Sequence, residues 1–473
     1  MAVSPSIQPY RPATCQARVG QPRRRCDLRN GPTLLRRDGR ALSVLTTCFA
    51  LGRKRGAGLP SAAHTDLDRR RISGEVWATR LGLQVPAGGS VGGKRRPVCV
   101  IGAMVQTEVM GDIAPVELTE IDRSRLEAAR GEFDAEVVYL NTATLGLPPR
   151  RCLADVQDAL REWQAGRADP MAYDAPLAAA RKLYAGLVNV DSTLVAVGSQ
   201  VSVFAGLVAA GLPAASEVLT AVGDFTSILF PFHAQAARGV SVREVALEEI
   251  ADAVSSATTL VAVSAVQSAD GRLVDLDRLE EACALTGTKV LLDTTQAVGW
   301  LPIDASRFAY TVCGGYKWLL APRGTAYLTI RKELLDSLTP HTAGWYAGAR
   351  PWESIYGTPL RLAPDARRFD VSPAWHAWIG AAPSSELLAG IGVSALHAHA
   401  VGLANEFSAG TGLSLGNSAI VSAAADPQVA ELMHRAGIIG SVRAERLRLS
   451  FHVSTTAQDV SWTVEILSGH LHS

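Results

Sequence analysis

The chain has 473 residues, 48% hydrophobic and 19% charged, and its 46 Lys and Arg set against 45 Asp and Glu leave a net formal charge of +1. That balance hides a split: residues 1–100 hold 19 basic and 5 acidic side chains, net +14, so residues 101–473 hold 27 and 40, net −13. An acidic balance excludes a nucleic-acid-binding reading for the later part, and a mean hydropathy of +0.13 excludes disorder there.

Length suggests two or three domains with a large core. Seven cysteines (15, 26, 48, 99, 152, 283 and 313) form no CxxC pair and suit a reducing, cytoplasmic setting. No apolar run reaches the roughly 18–20 residues that span a bilayer, which predicts a soluble protein without a membrane partner.

Residues 1–112 read as a basic, disordered extension, with Arg runs at 23–25 and 69–71 and no sustained periodicity. Three explanations compete: a transit peptide, which would make the protein organellar, a basic interaction tail, or sequence outside the working protein. Met104 and Met110 sit just before the first amphipathic segment, and either could begin a complete domain. Gly88–Lys94 matches GxxxxGK, but Arg95 replaces the magnesium-binding Ser or Thr and no strand leads in, which argues against a nucleotide loop.

A helix is expected over 117–130, then a strand at Val137–Leu140, a loop ending at Pro148-Pro149 and a helix over Leu153–Gln164. Thr193–Val197, Val218–Ala221, Leu260–Val263, Val290–Leu292 and Tyr310–Val312 are strand-like, with helices such as Val201–Leu212 and Leu276–Leu285 between them. This alternation predicts an α/β fold: a mainly parallel sheet with helices on both faces (113–355) and a smaller C-terminal α+β domain (356–473). In such sheets chemistry gathers at the carboxyl ends of strands.

Four strand ends carry suitable polar groups. Gly198-Ser199-Gln200 opens a helix whose free N–H groups and dipole could hold a phosphate, although an ordinary serine cap has the same pattern. Asp293 ends an apolar strand, where an unpaired carboxylate is expensive, and Gln296 follows. Lys317, after Gly314-Gly315-Tyr316 and before Trp318-Leu319-Leu320, is a lysine in an apolar setting suited to nucleophilic work. Arg448 lies in a strand-like alternation and could equally be an exposed edge arginine. A phosphate cradle, a carboxylate for a pyridine nitrogen, a lysine for a Schiff base and a cation for a substrate carboxylate together fit pyridoxal phosphate.

Residues from about 134 to 465 resemble the class V aminotransferase family, the fold type I group that holds cysteine desulfurases, kynureninases and isopenicillin N epimerase-like proteins. The stretches that carry the resemblance are Tyr139–Ala143, Val290–Gly299, Gly315–Trp318 with Arg323-Gly324, Arg368–Pro373 and Leu447–His452. Asp-x-x-Gln with a lysine 24 residues after the Asp is the most specific of them.

The resemblance implies that Lys317 holds the cofactor as an internal aldimine and then moves the Cα proton, while Asp293 pairs with the pyridinium nitrogen and Gln296 bonds the ring oxygen. Ser199 and Gln200, helped by Tyr316, would hold the phosphate, and Phe225 would stack on the ring. Gln267 would lie near the ring oxygen. Ser372 would reach the phosphate of a partner subunit, implying a homodimer with shared sites. Arg448 would take the substrate α-carboxylate, with Asn141 and Thr142 also against the substrate.

Two departures narrow the subfamily: Phe225 stands where many desulfurases have His, and Gly314 stands where the family has a phosphate-binding serine, for which Tyr316 could compensate. No cysteine follows Cys313, so a desulfurase using its own C-terminal thiol is not expected, and Cys313 reads as a small buried thiol. His397/His399 and His470/His472 read as solvated rather than as metal ligands, and Gly412–Gly416 reads as a loop despite matching G-x-S-x-G. His341, Trp345 and Tyr346 suit either a substrate rim or interface packing. The expected activity begins with Cα deprotonation of an amino acid and is nominally aminotransferase-like. Carbon–sulfur β-elimination and epimerisation are the alternatives, and a non-catalytic binding protein of the same fold is the alternative from another class.

Overall fold

The computed structural model describes residues 118–472. The basic extension, its GxxxxGK match and both candidate start methionines lie outside those residues. Thr119 opens α1 (Glu120–Arg130) through a capping box with Asp122. The short strand β1 (Val138–Tyr139) and its loop lead into α2 (Arg150–Gln164) and α3 (Asp174–Leu187).

Strands and helices then alternate: β2 (Val195–Gly198), α4 (Val201–Gly211), β3 (Glu217–Ala221), α5 (Thr226–His233), β4 (Ser241–Val245) and β5 (Thr258–Ser264). Next come α6 (Leu276–Thr286), β6 (Lys289–Asp293), β7 (Tyr310–Gly314) and β8 (Ala326–Ile330). Local chemistry sets the ends of α6: the Asp275 side chain accepts from the Arg278 amide, and Gly287 takes a left-handed φ of 71°.

These strands form one sheet in the order β2-β8-β7-β6-β5-β3-β4, with only β8 antiparallel to its neighbours. The α/β expectation holds, and alternation explains how both faces are filled. Val261, Val263, Val290 and Leu292 join the core under α3 and α6, while Leu260, Ala262 and Leu291 join the core under α4 and α5.

Two long helices follow, α7 (Trp375–Ile391) and α8 (Val393–Thr411), with an 84° bend between them at Gly392, whose φ is 94°. Among the described residues no single helix is long and apolar enough to cross a membrane. The expected boundary at 355/356 falls ahead of α7, which packs on α2 and α3.

The chain ends with β9 (Ile420–Ala425), α9 (Val429–Arg435), β10 (Ile438–Ile439), β11 (Ser441–Arg443), β12 (Arg446–Ser450), α10 (Ala457–Leu467) and β13 (Leu471–His472). An antiparallel sheet β11-β12-β9-β13 shares a separate core with α8 and α10, built on Phe407, Leu449, Phe451 and Val460. Leu140 joins that core because β1 pairs in parallel with β10.

The solvated reading fails for His397 and His399, which are 8% and 6% exposed. Helix α8 turns both inward, His397 stacks on Trp300 at 5.8 Å, and burial pushes His399 down to about 4. His470 and His472 instead share Asp426, at 3.0 and 3.1 Å. Residues 412–416 form a loop after α8, and Ser414 is exposed in it.

Candidate active site

The carboxyl ends of β2, β3, β5, β6 and β7 open onto one cleft with a cavity of about 180 Å³. Ser199, Gln200, Phe225, Asp293, Gln296, Tyr316 and Lys317 line it, so seven residues expected from the sequence are brought together.

Asp293 is 4% exposed at the end of β6, and Lys317 is 5% exposed just past the end of β7, the next strand in the sheet. Burial raises the Asp293 carboxyl to about 6, against the opposing hydrogen bond from the Thr295 amide at 2.9 Å. Burial also holds the Lys317 ammonium down to about 8, with Asp293 opposing the shift and Arg448 adding to it. The turn carrying Lys317 is wedged between backbones. The Gly146 amide donates to the Tyr316 carbonyl at 2.9 Å, and a Cβ on Gly146 would stand 2.1 Å from the Lys317 carbonyl oxygen.

Phe225, 43% exposed, presents its ring centre 5.2 Å from Lys317 Nζ. Its backbone is fixed by Asp224, which accepts from the Phe225 amide at 2.6 Å, the Ser264 amide at 2.8 Å and Ser264 Oγ at 2.5 Å. At the other end of the cleft, α4 starts without a side-chain cap. Its first residues, Val201 and Ser202, line the cleft together with Ser199, Ser227 and Arg323. Arg323 lies 4.9 Å over the Tyr316 ring. A Cβ at Gly314 would meet Tyr316 Cε1 at 3.3 Å and Thr295 Cγ2 at 3.4 Å, so these two side chains bound the space that a serine there would occupy.

Five expected residues lie off the cleft wall: Gln267, Asn141, Thr142, Ser372 and Arg448. Gln267 is buried, and its Nε2 donates to the buried Asp224 carboxylate at 3.3 Å. Thr142 is buried and Asn141 half-buried in the loop after β1, and neither faces the cleft. Ser372 is exposed and away from the cleft of its own chain. His341, Trp345 and Tyr346 also lie outside it, and the Tyr346 hydroxyl donates to Asp174 at 2.6 Å, a packing role.

Arg448 is not an edge arginine: β12 lies between β11 and β9, and the side chain is 1% exposed. It reaches the cleft through Ser268, donating to the Ser268 carbonyl, to Ser268 Oγ at 3.2 Å and to Thr144 Oγ1 at 2.8 Å. Burial pulls its guanidinium down to about 10. Ser268 is the residue that sequence reasoning missed. Its Oγ accepts from Arg448 and also from Gln296 Nε2 at 2.9 Å, which leaves the hydroxyl hydrogen for the cleft. Gln296 is fully engaged, donating also to the Ala143 carbonyl at 3.0 Å and accepting from Trp318 Nε1 at 2.8 Å. A hydrogen bond from Gln296 to a ring oxygen would therefore displace one of its present partners. One polar position after Gln267 was the only local signal for Ser268.

The donor set fits a phosphorylated pyridine. An uncapped helix start with hydroxyls and Arg323 suits the phosphate, a buried carboxylate suits a protonated ring nitrogen, Phe225 offers a ring face, and a buried amine lines the same cleft.

A family model described as "Aminotransferase class-V" matches residues 173–411. An uncharacterized aminotransferase of Bacillus subtilis is 29% identical over 301 residues, covering 60% of this chain and 77% of its own length. Isopenicillin N epimerase of Streptomyces clavuligerus is 29% identical over 239 residues, 46% of this chain and 60% of that one. Among solved structures, the cysteine desulfurase CsdA of Escherichia coli aligns with a TM-score of 0.63 at 19% identity, covering 72% of this chain and 97% of that one. The cystine C-S lyase C-DES aligns with a TM-score of 0.64 at 21% identity, covering 71% and 98%. At these identities the structural likeness carries the fold alone.

Proposed function

We infer the function from the premise that this chain belongs to the class V aminotransferase family, whose cofactor is pyridoxal phosphate. The chain acts on the α-carbon of an amino acid, with aminotransferase-like chemistry as the reading of choice. The observation that carries this is the buried Lys317 and Asp293 at neighbouring strand ends, facing an uncapped helix start across one cleft.

Bound pyridoxal phosphate supplies an electron sink that acidifies the substrate Cα proton. Lys317 would hold the cofactor through Nζ and, once released, take the Cα proton, a role its lowered pKa of about 8 suits near neutral pH. Asp293 would hold a proton on the ring nitrogen, Phe225 would cover one ring face, and the Ser199–Ser202 turn with Arg323 would bind the phosphate. Ser268, with its free hydroxyl hydrogen, would orient the ring oxygen or the incoming carboxylate, and Arg448 behind it would balance that carboxylate. Ser372, exposed and away from its own cleft, would serve a second subunit in a homodimer. Among the described residues a thiol mechanism finds no support: Cys152, Cys283 and Cys313 are buried, and burial pushes the last up to about 12.

The test is spectroscopic. The purified protein with added pyridoxal phosphate should show a visible band that disappears in Lys317→Ala. A colourless wild-type protein would sink the enzyme reading. An amino-acid panel followed separately for keto acid, ammonia and sulfide then distinguishes transamination from β-elimination, and loss of optical rotation without any of these products marks epimerisation.

A further inference from the structure

Two guanidinium groups meet beside the cleft with no acid paired to them among the described residues. Arg448 Nη2 and Arg443 Nη2 donate to the same Thr144 Oγ1, at 2.8 and 3.2 Å. Arg448 is buried and its Nε has no partner. Arg443 is exposed at the end of β11, where Ala444 and Glu445 take left-handed φ values of 45° and 64° to turn the chain into β12. The acceptors of both arginines are neutral oxygens, of Thr144, Ser268 and Val442, and neither forms an ion pair with a carboxylate among the described residues. The buried Arg181, by contrast, is paired with Asp370 at 2.7 Å.

Holding two like charges on one hydroxyl is unfavourable unless an anion joins them. The effect of Arg443 reaches the centre: its charge is among the causes that lower both Arg448 and Lys317. The acids and cations of the cleft are otherwise accounted for, with Asp293 beside Lys317 and Arg323 at the helix start. A substrate with one carboxylate would balance Arg448 and leave Arg443 over. An exposed arginine at the end of β11, next to a two-residue turn, has the reach and freedom to meet a second acidic group of a bound substrate.

We propose that Arg443 is a specificity residue that receives the side-chain acid of the substrate, so that the preferred amino acid carries a second carboxylate or comparable acid. This rests on the reading of Lys317 and Arg448 given above.

The test uses the full-length holoenzyme. Values of kcat/KM are compared for L-aspartate against L-asparagine and L-glutamate against L-glutamine, and binding of the unreactive succinate is compared with butyrate by calorimetry. The expected result is an acid preference of tenfold or more in both assays. Arg443→Met should reduce both ratios by tenfold or more, and Arg443→Lys should keep most of each. Equal use of acid and amide by the wild type, or a preference that survives Arg443→Met, overturns the assignment while leaving the Lys317 reading intact. A protein that never develops the cofactor band overturns the underlying reading instead, and the succinate and butyrate arms still decide whether Arg443 binds an acid.

Discussion

The pH at which Lys317 becomes reactive follows directly from its surroundings. An ordinary lysine titrates at 10.5, and burial holds this one down to about 8, a difference worth about 3 kcal/mol against the charged form. At pH 7 about one molecule in ten then has a neutral Nζ, against about one in three thousand for a free lysine. Only the neutral amine attacks an aldehyde, so the rate at which apoenzyme takes up pyridoxal phosphate should rise about tenfold between pH 7 and pH 9 and then level off. A lysine left at 10.5 would give a rise of about a hundredfold over the same interval and no plateau. Asp293 opposes the lowering, so Asp293→Asn should move the midpoint below 8. Stopped-flow absorbance of the cofactor band measures both. A rate still climbing above pH 9.5, or a midpoint that Asp293→Asn leaves unmoved or raises, would refute the reasoning.

Gly146→Ala forces a Cβ onto the Lys317 carbonyl, a backbone atom that has no flexible end to give way, and should cost about 1–3 kcal/mol in denaturant unfolding together with a weaker cofactor band. Ser268→Ala removes one acceptor each from Gln296 and Arg448 but leaves the Ala143 and Ser268 carbonyls to them. Substrate KM should therefore rise about 3- to 10-fold with little change in melting temperature. Arg181→Ala strands the buried Asp370 carboxylate and should destabilise the fold by about 3–5 kcal/mol, read by denaturant midpoint. Because Asp370 also accepts from the Val197 amide at 2.8 Å, phosphate affinity at the neighbouring Ser199 should fall with it.

Four strands of the large sheet were legible because each is a short apolar run with β-branched residues, a signal that needs no distant partner, whereas β4, which carries Arg243 and Glu244, was not. The expected segments 218–221, 260–263, 290–292 and 310–312 all lie inside observed strands. The acid and lysine were legible for the same reason, since a polar group that closes a buried run stands out. The partners of those groups were not. Gln296 is anchored by Ala143, 153 positions away, and Arg448 by Thr144, 304 positions away.

Thus the sequence by itself determined the α/β alternation, the class V signature and the strand ends that carry Ser199, Asp293 and Lys317. Tertiary structure decided which polar neighbour faces the cleft: Ser268 does, whereas Gln267 is claimed by Asp224. It also decided that Arg448, His397 and His399 are buried, because an alternating strand or an amphipathic helix shows its period but not what will cover it. The meeting of Arg443 with Arg448 on Thr144 belongs to that second group. A hairpin and a loop nearly three hundred residues apart share one hydroxyl only after two separate cores have closed around them.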